Sequence, residues 1–393
     1  MPSTDAKRTP NSPTPPPSLL RPPRGEIGRE PCAPVRHATA PSPQTPLHER
    51  KEYAMWRLTR REMLALTGST LALSALGLPA RAAEAGPTLV LVEKDAPAVS
   101  FYELPQGKRL TSVPLPTQPH EIVADPAGRY AYIAQYGVAR WRGPGAGGDK
   151  VFVIDLAARS LHRTIDLSPY RRLHGIRMDQ AGRLYVLAEM ESVLLRFDDP
   201  ANSDLPDQAV PVGGVRSHYF VLRRDGQRAY VADSLSGLAI LVDPQDPSRA
   251  PLKRFTGKGP EGCCLSPDEK VFYVVNRYGG EIVALDAQDL RELRRAPTRG
   301  EAVRVVSLPD GRLIVSNEAD RSLSLLHPET LTEERRLALE AAAPGLNLDA
   351  GRQRLYAALD DNRVAVVDLA GWKVDGYFPT QAGPDSAVVL AGA

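Results

Sequence analysis

Three histidines and two carboxylates stand at matching points of a repeating pattern, together with two residues that carry no charge: His120, His174, His218, Glu261, Val303, Pro344 and Asp385. Neutral imidazoles beside a carboxylate suit a borderline transition metal such as Zn²⁺ or Fe²⁺, so His120, His174, His218 and Glu261 could fill or nearly fill a coordination shell. Their spacing is that of the repeat and not of a compact metal motif. Five histidines lie beyond residue 82, at 120, 162, 174, 218 and 327. Random placement would put roughly 0.1 of them at the seven shared positions, against the three observed. Descent of the repeats from one ancestor offers a second account, a shared histidine that only hydrogen-bonds backbone in a crowded interior. Ionisable groups gathered in a concavity are nevertheless costly unless they are paired, ligated or hydrated, which favours a functional reading.

The elements that must position these residues follow from the repeat itself. Tyr132-Ile-Ala-Gln135, Tyr185-Val-Leu-Ala188, Tyr230-Val-Ala-Asp233, Tyr273-Val-Val-Asn276, Ile314-Val-Ser-Asn317 and Tyr356-Ala-Ala-Leu359 each close a short apolar strand. Turns such as Asp125-Pro-Ala-Gly128 and Ser266-Pro-Asp268 precede them, and alternating strands such as Val151–Asp155 and Ile282–Asp286 follow. Four short strands in each repeat of about 41–44 residues, with no long helical pattern, are the signature of a β-propeller blade. Opening strands at 119, 173, 217, 260, 302, 343 and 384 give seven blades, and the last has no further strands of its own. The N-terminal strands Thr88–Lys94, Val99–Leu104 and Leu110–Pro114 lack an opening strand. Pro384–Leu390 is therefore expected to enter that blade as its innermost strand and to close the ring, which removes the free edges. The fold class is all-β, a seven-bladed propeller of four-stranded antiparallel blades. Innermost strands line the central channel, so the seven register residues meet at its mouth, with Asp385 standing apart across the ring.

The Tyr-Val-x-Asn strands and Ser-Pro-Asp turns resemble the YVTN family of seven-bladed propellers, the YncE-like proteins, over all seven blades from Thr88 to Leu390. That resemblance implies an architecture more than a reaction. The streptogramin lyases, also seven-bladed, place a histidine and a metal-binding carboxylate at the channel mouth. By that analogy His174 or His218 is a general base and Glu261 a metal ligand or acid. The distantly similar propellers of haem-containing nitrite reductases imply a third option, a tetrapyrrole held by an axial histidine at the lip.

Other candidates sit on the same face. The insertion Val138–Lys150 in the second blade has glycines that permit motion, and its Arg140, Trp141 and Arg142 can pair with or stack on an anionic or aromatic ligand. Tyr170, Arg171 and Arg172 enter the rim just before His174 and add to a locally basic mouth. The adjacent Cys263 and Cys264 are expected to be buried packing and not a strained vicinal disulfide. No CxxCH site for covalent c-type haem, glycine-rich phosphate loop, G-x-S-x-G elbow or H-E-x-x-H pattern occurs after residue 83.

The first 54 residues hold 13 of the 37 prolines and few apolar residues, so they read as a disordered leader or as an over-long start of the reading frame. From Met55 a basic head containing Arg60-Arg61, the apolar stretch Ala65–Leu78 and an Ala-Arg-Ala end resemble a twin-arginine export signal, with cleavage expected after Ala82. The stretch is too short to span a bilayer, and the mature chain has no membrane span. Residues 1–83 carry 12 Lys and Arg against 6 Asp and Glu, leaving 37 against 41 in the remainder. A mildly acidic body argues against nucleic acid as a partner. The sequence thus predicts a monomeric periplasmic propeller, 87–393, that binds a small or peptide-like anionic ligand at the channel mouth in an accessory or scaffold role. The alternatives are a metal-dependent lyase or hydrolase and a tetrapyrrole binder.

Overall fold

Short, near-continuous apolar runs between tight turns make strands buried on both faces, and these stack side by side as blades. The structure, a computed structural model, describes residues 86–141 and 143–392, all-β and without helix. The Pro-rich leader, the export segment and Arg142 lie outside the described residues. Seven four-stranded antiparallel sheets form, six of them built from consecutive strands. Blade I is mixed: Pro384–Leu390 pairs with Thr88–Glu93, which is followed by Ala98–Glu103 and Lys108–Pro114. Innermost strands Pro119–Ala124, Leu173–Met178, Ser217–Leu222, Pro260–Leu265, Ala302–Ser307 and Gly345–Asp349 open blades II to VII. Each contacts the next, and Pro384–Leu390 touches both blade VII and blade II, so the ring is closed by the C-terminal strand.

The core lies between blades. Tyr132, Tyr185, Tyr230 and Tyr356 of the Tyr-Val runs are at most 1% exposed. Burying each such ring contributes about 1.5–3 kcal/mol. Tyr132 of blade II packs in one cluster with Leu173 and Val186 of blade III, and Tyr230 of blade IV stacks on Phe272 of blade V with ring centroids 5.1 Å apart. At the closure, Leu89, Leu91 and Tyr102 of blade I meet Tyr356, Val364 and Phe378 of blade VII. No helix among the described residues is long and apolar enough to cross a membrane.

Irregular pairing at the channel mouth is what shapes the site. The ladders between innermost and second strands shift register at Pro119/Ile122, Leu173/Ile176, Ser217/Tyr219, Pro260/Cys263 and Ala302/Arg304. In blade I the shift spans Pro384 to Ala387. A bulge re-aims side chains that strict alternation would send to opposite faces. Glycines beside the register residues let neighbouring innermost strands approach closely: a Cβ on Gly262 would stand 2.3 Å from the carbonyl oxygen of Val303, and one on Gly345 2.3 Å from that of Asp385.

Candidate functional site

All seven register residues line one cavity of about 420 Å³ at the channel mouth. His120, His174 and His218 come from blades II, III and IV and stand in a row, with ring centroids 4.4 Å and then 4.0 Å apart and planes tilted by 42° and 45°. Tyr136 stands edge-on against His120 and His174 at 5.3 and 5.0 Å. Glu261 continues the wall in blade V, while the register positions of blades VI and VII are the uncharged Val303 and Pro344, with Arg304 and Glu318 of blade VI also in the lining. Asp385 differs from the sequence expectation. Ring closure puts blade I next to blade II, so its carboxylate lies 3.4 Å from Nδ1 of His120 instead of across the ring.

The three imidazoles differ in protonation because their neighbours differ. His218 is 3% exposed, and its two ring nitrogens face carboxylates, Nδ1 at 2.7 Å from Glu189 and Nε2 at 3.2 Å from Glu261. Burial opposes the charge, but Glu261 and the hydrogen bonds to both carboxylates overcome it and raise the pKa to about 9. In turn Glu261 is pulled down to about 2, since His218, Arg304 and Arg277 outweigh its burial. His218 therefore favours its protonated form, with both ring nitrogens engaged by carboxylates. His174 goes the opposite way: burial, then the charges of His218 and His120, hold its pKa well below normal. Burial likewise lowers His120 to about 4, against the pull of Asp385. Nδ1 of His120 and of His174 are buried with no hydrogen-bond partner among the described residues.

An ionic cluster on the innermost strands adjoins the imidazoles. Tyr219 lies between the guanidinium groups of Arg177 and Arg304, 4.7 and 4.9 Å from its ring centroid. Glu121 receives Arg304 at 3.2 Å and Arg177 at 3.7 Å. Glu121, Tyr219 and Arg304 each follow a register residue directly, and they share its inward direction because of the bulges. Arg304 joins this cluster to the cavity lining.

The insertion of blade II forms part of the roof. Ala139, Arg140 and Trp141 line the cavity, and the Trp141 ring stands edge-on to His218 at 6.2 Å. Arg172 holds this loop in place and does not line the cavity. Its guanidinium donates to the carbonyl oxygens of Trp141, Gly143 and Gly145 at 2.8–2.9 Å. Tyr170 packs against the apolar cluster between blades II and III and also takes no part in the lining. Arg171 pairs with Glu191 at 3.1 Å. Cys263 and Cys264 are free buried thiols, and burial pushes Cys263 up to about 12.

Sequence reasoning missed a second ring. Tyr136, Glu189, Ser234, Arg277 and Glu318 each follow the four-residue strand motif directly, so they too share a register. Tyr136 donates to Glu189 at 3.1 Å, and Arg277 lies 3.9 Å from Glu261 while pairing with Glu318 and Glu301. Lys94, just past the second strand of blade I, pairs with Asp385 at 2.9 Å. The signal was available in the repeat, but these residue types vary from blade to blade and do not announce themselves as a set.

Fold and site together define a closed seven-bladed β-propeller with an ion-lined cavity at one mouth. A solved structure of a functionally unknown protein from Desulfotomaculum acetoxidans is similar to it, with a TM-score of 0.64 and 12% sequence identity over 78% of this chain and 99% of that chain. At that identity the likeness shows the fold alone. No protein-family model and no curated protein sequence matches the chain.

Proposed function

We propose that the chain is exported and binds a small or peptide-like anionic ligand at the propeller mouth, acting as an accessory or scaffold protein. The observation that carries this reading is the set of basic groups facing the cavity, Lys94, Arg140, Arg277, Arg304 and protonated His218, all but Arg140 held in place by Asp385, Glu318, Glu121, Glu189 and Glu261. An anion entering the pocket meets donors that are already organised, and Arg140 is the one whose charge is not shared with a carboxylate. Arg140 is exposed and has no ion-pair partner among the described residues, which makes it the first contact for an incoming carboxylate. Calorimetric titration with mono- and dicarboxylates and with phosphate tests the reading. Binding that weakens at least tenfold in Arg140→Ala and Arg277→Ala supports it, while heat from none of these anions refutes it. Export is tested by fractionating the native host, where protein confined to the cytoplasm would overturn that part.

A metal-dependent lyase or hydrolase is the second reading, favoured by one observation: ligand atoms of His120, Glu121 and His174 all lie within 4.8 Å of one another. The donor set differs from the one expected, because His218 is engaged by two carboxylates and Glu121 takes its place. Neutral, unpaired imidazole nitrogens fit a transition metal, whereas the two arginines on Glu121 compete with it. Elemental analysis of untagged protein decides between the readings. Stoichiometric metal that disappears in His174→Ala supports the enzyme, and metal-free protein removes it.

A further inference from the structure

The mouth face is divided into two unlike halves. Large apolar side chains stand exposed in its loops only on blades III to V among the described residues: Met190, Val215, Leu235 and Tyr278, joined at the outer edge by Phe255. Val215, Leu235 and Phe255 are 58–64% exposed, which is unusual for residues gathered in one sector of a polar surface. Basic groups are interspersed with them. Arg216 reaches from beside Val215 to the sulfur of Met190 at 3.5 Å and lies over the Trp141 ring at 5.7 Å. Lys258 is exposed between blades IV and V without an ion-pair partner among the described residues. On the other half, the corresponding loops of blades V–VI through I carry Asp95, Glu301, Asp320, Glu340, Asp360 and Asp361 against Arg299 and Arg321, an acidic balance although several of these carboxylates are paired with arginines. The apolar sector adjoins the part of the cavity walled by His174, His218 and Glu261, so a ligand leaving the cavity toward blades III to V crosses it.

We propose that this apolar, basic crescent is a docking surface for an acidic polypeptide segment of a partner protein, whose apolar side chains cover Val215, Leu235 and Tyr278 while a carboxylate enters the cavity. The proposal rests on the anion-binding reading above and extends it from a small ligand to a chain. Charge complementarity selects the occupant. A basic segment would be repelled by Arg140 and Lys258, which have no ion-pair partner among the described residues, whereas Arg216 is paired with Glu189 at 3.5 Å; it would be drawn to the more acidic half, which offers no large exposed apolar side chain in its mouth loops. A free small carboxylate would fill the cavity but leave the crescent bare, and exposed apolar area of this kind gains only when a partner covers it. Of the side chains in the crescent, Tyr278 and Arg216 are of the types that carry most of the energy at protein interfaces, with Val215 and Leu235 excluding water around them.

The test uses the full chain, immobilised and exposed to a soluble random hexapeptide library with free carboxyl termini, with retained peptides read by mass spectrometry. In parallel, benzoate is titrated calorimetrically as a probe of the cavity alone. Retained peptides are expected to combine acidic with aromatic or aliphatic residues. Val215→Asp and Leu235→Asp, both at exposed positions, should lower their retention at least tenfold, equivalent to about 1.4 kcal/mol, and leave benzoate affinity unchanged. Retention of basic peptides, no preference in composition, or indifference to these two substitutions overturns the docking surface. Benzoate binding without peptide retention overturns it while sparing the cavity reading, and binding of neither probe removes both. Sedimentation that shows a dimer dissociated by Leu235→Asp also overturns it, since a second copy would then be the occupant.

Discussion

Replacing His218 with glutamine keeps an amide near Glu189 and Glu261 but removes the positive charge between them. The ring's pKa rises from the ordinary 6.5 to about 9 in the folded protein. At 1.36 kcal/mol per unit this linkage amounts to about 3 kcal/mol of stability. The depression of Glu261 to about 2 reports the same contact and is not counted again. Because the folded pKa is the higher one, the contribution is complete below about 6.5 and is lost progressively as pH rises through about 9. His120, lowered to about 4, and His174 act in the opposite sense. The unfolded chain takes up protons at these rings first, so stability also falls as pH drops from about 6.5 toward 4. Urea unfolding of the natural protein between pH 4 and 10 should therefore show a maximum near pH 6.5 with a decline on each side. His218→Gln should be less stable by about 3 kcal/mol at pH 6 and should lose most of the alkaline decline, while the acid limb persists. A ring proton of His218 titrating at or below 6.5 in NMR, or an alkaline decline undiminished in the variant, would refute the reasoning.

Deleting residues 384–393 strips the innermost strand from blade I and exposes the backbone of Thr88–Glu93, so the unfolding midpoint should fall by about 10 °C or more; melting like the full chain would disprove closure by that strand. Arg172→Ala removes donors to three carbonyl oxygens of the insertion, and faster amide exchange over residues 136–148 with a red shift of Trp141 emission is expected, with exchange unchanged elsewhere in the propeller. Gly262→Ala places a methyl group 2.3 Å from a carbonyl oxygen of the next blade's innermost strand and should cost about 1–3 kcal/mol in urea unfolding, a loss that Gly128→Ala, with open space around it, should show only through its backbone conformation.

Architecture was legible in the sequence because its determinants are local. The period of two within strands, the Asp-Pro-Ala-Gly type turns and the recurrence of Tyr-Val runs each lie inside one blade, and they fixed seven blades, the closing strand and the shared register of His120, His174, His218, Glu261 and Asp385. What those residues do to one another was not local. Asp385 meets His120 only because closure makes the last strand a neighbour of the second blade, and Arg304 meets Glu121 across 183 residues of chain. Bulges turned Glu121, Tyr219 and Arg304 inward where strict alternation would have turned them away, and no residue pattern marks a bulge of this kind. Three histidines equivalent in sequence differ in their preferred charge because Glu261 of blade V and Glu189, just past the second strand of blade III, both reach the ring of His218 and do not bond the other two. Charge state follows from partners within a few ångströms, and only the assembled ring decides which partners those are.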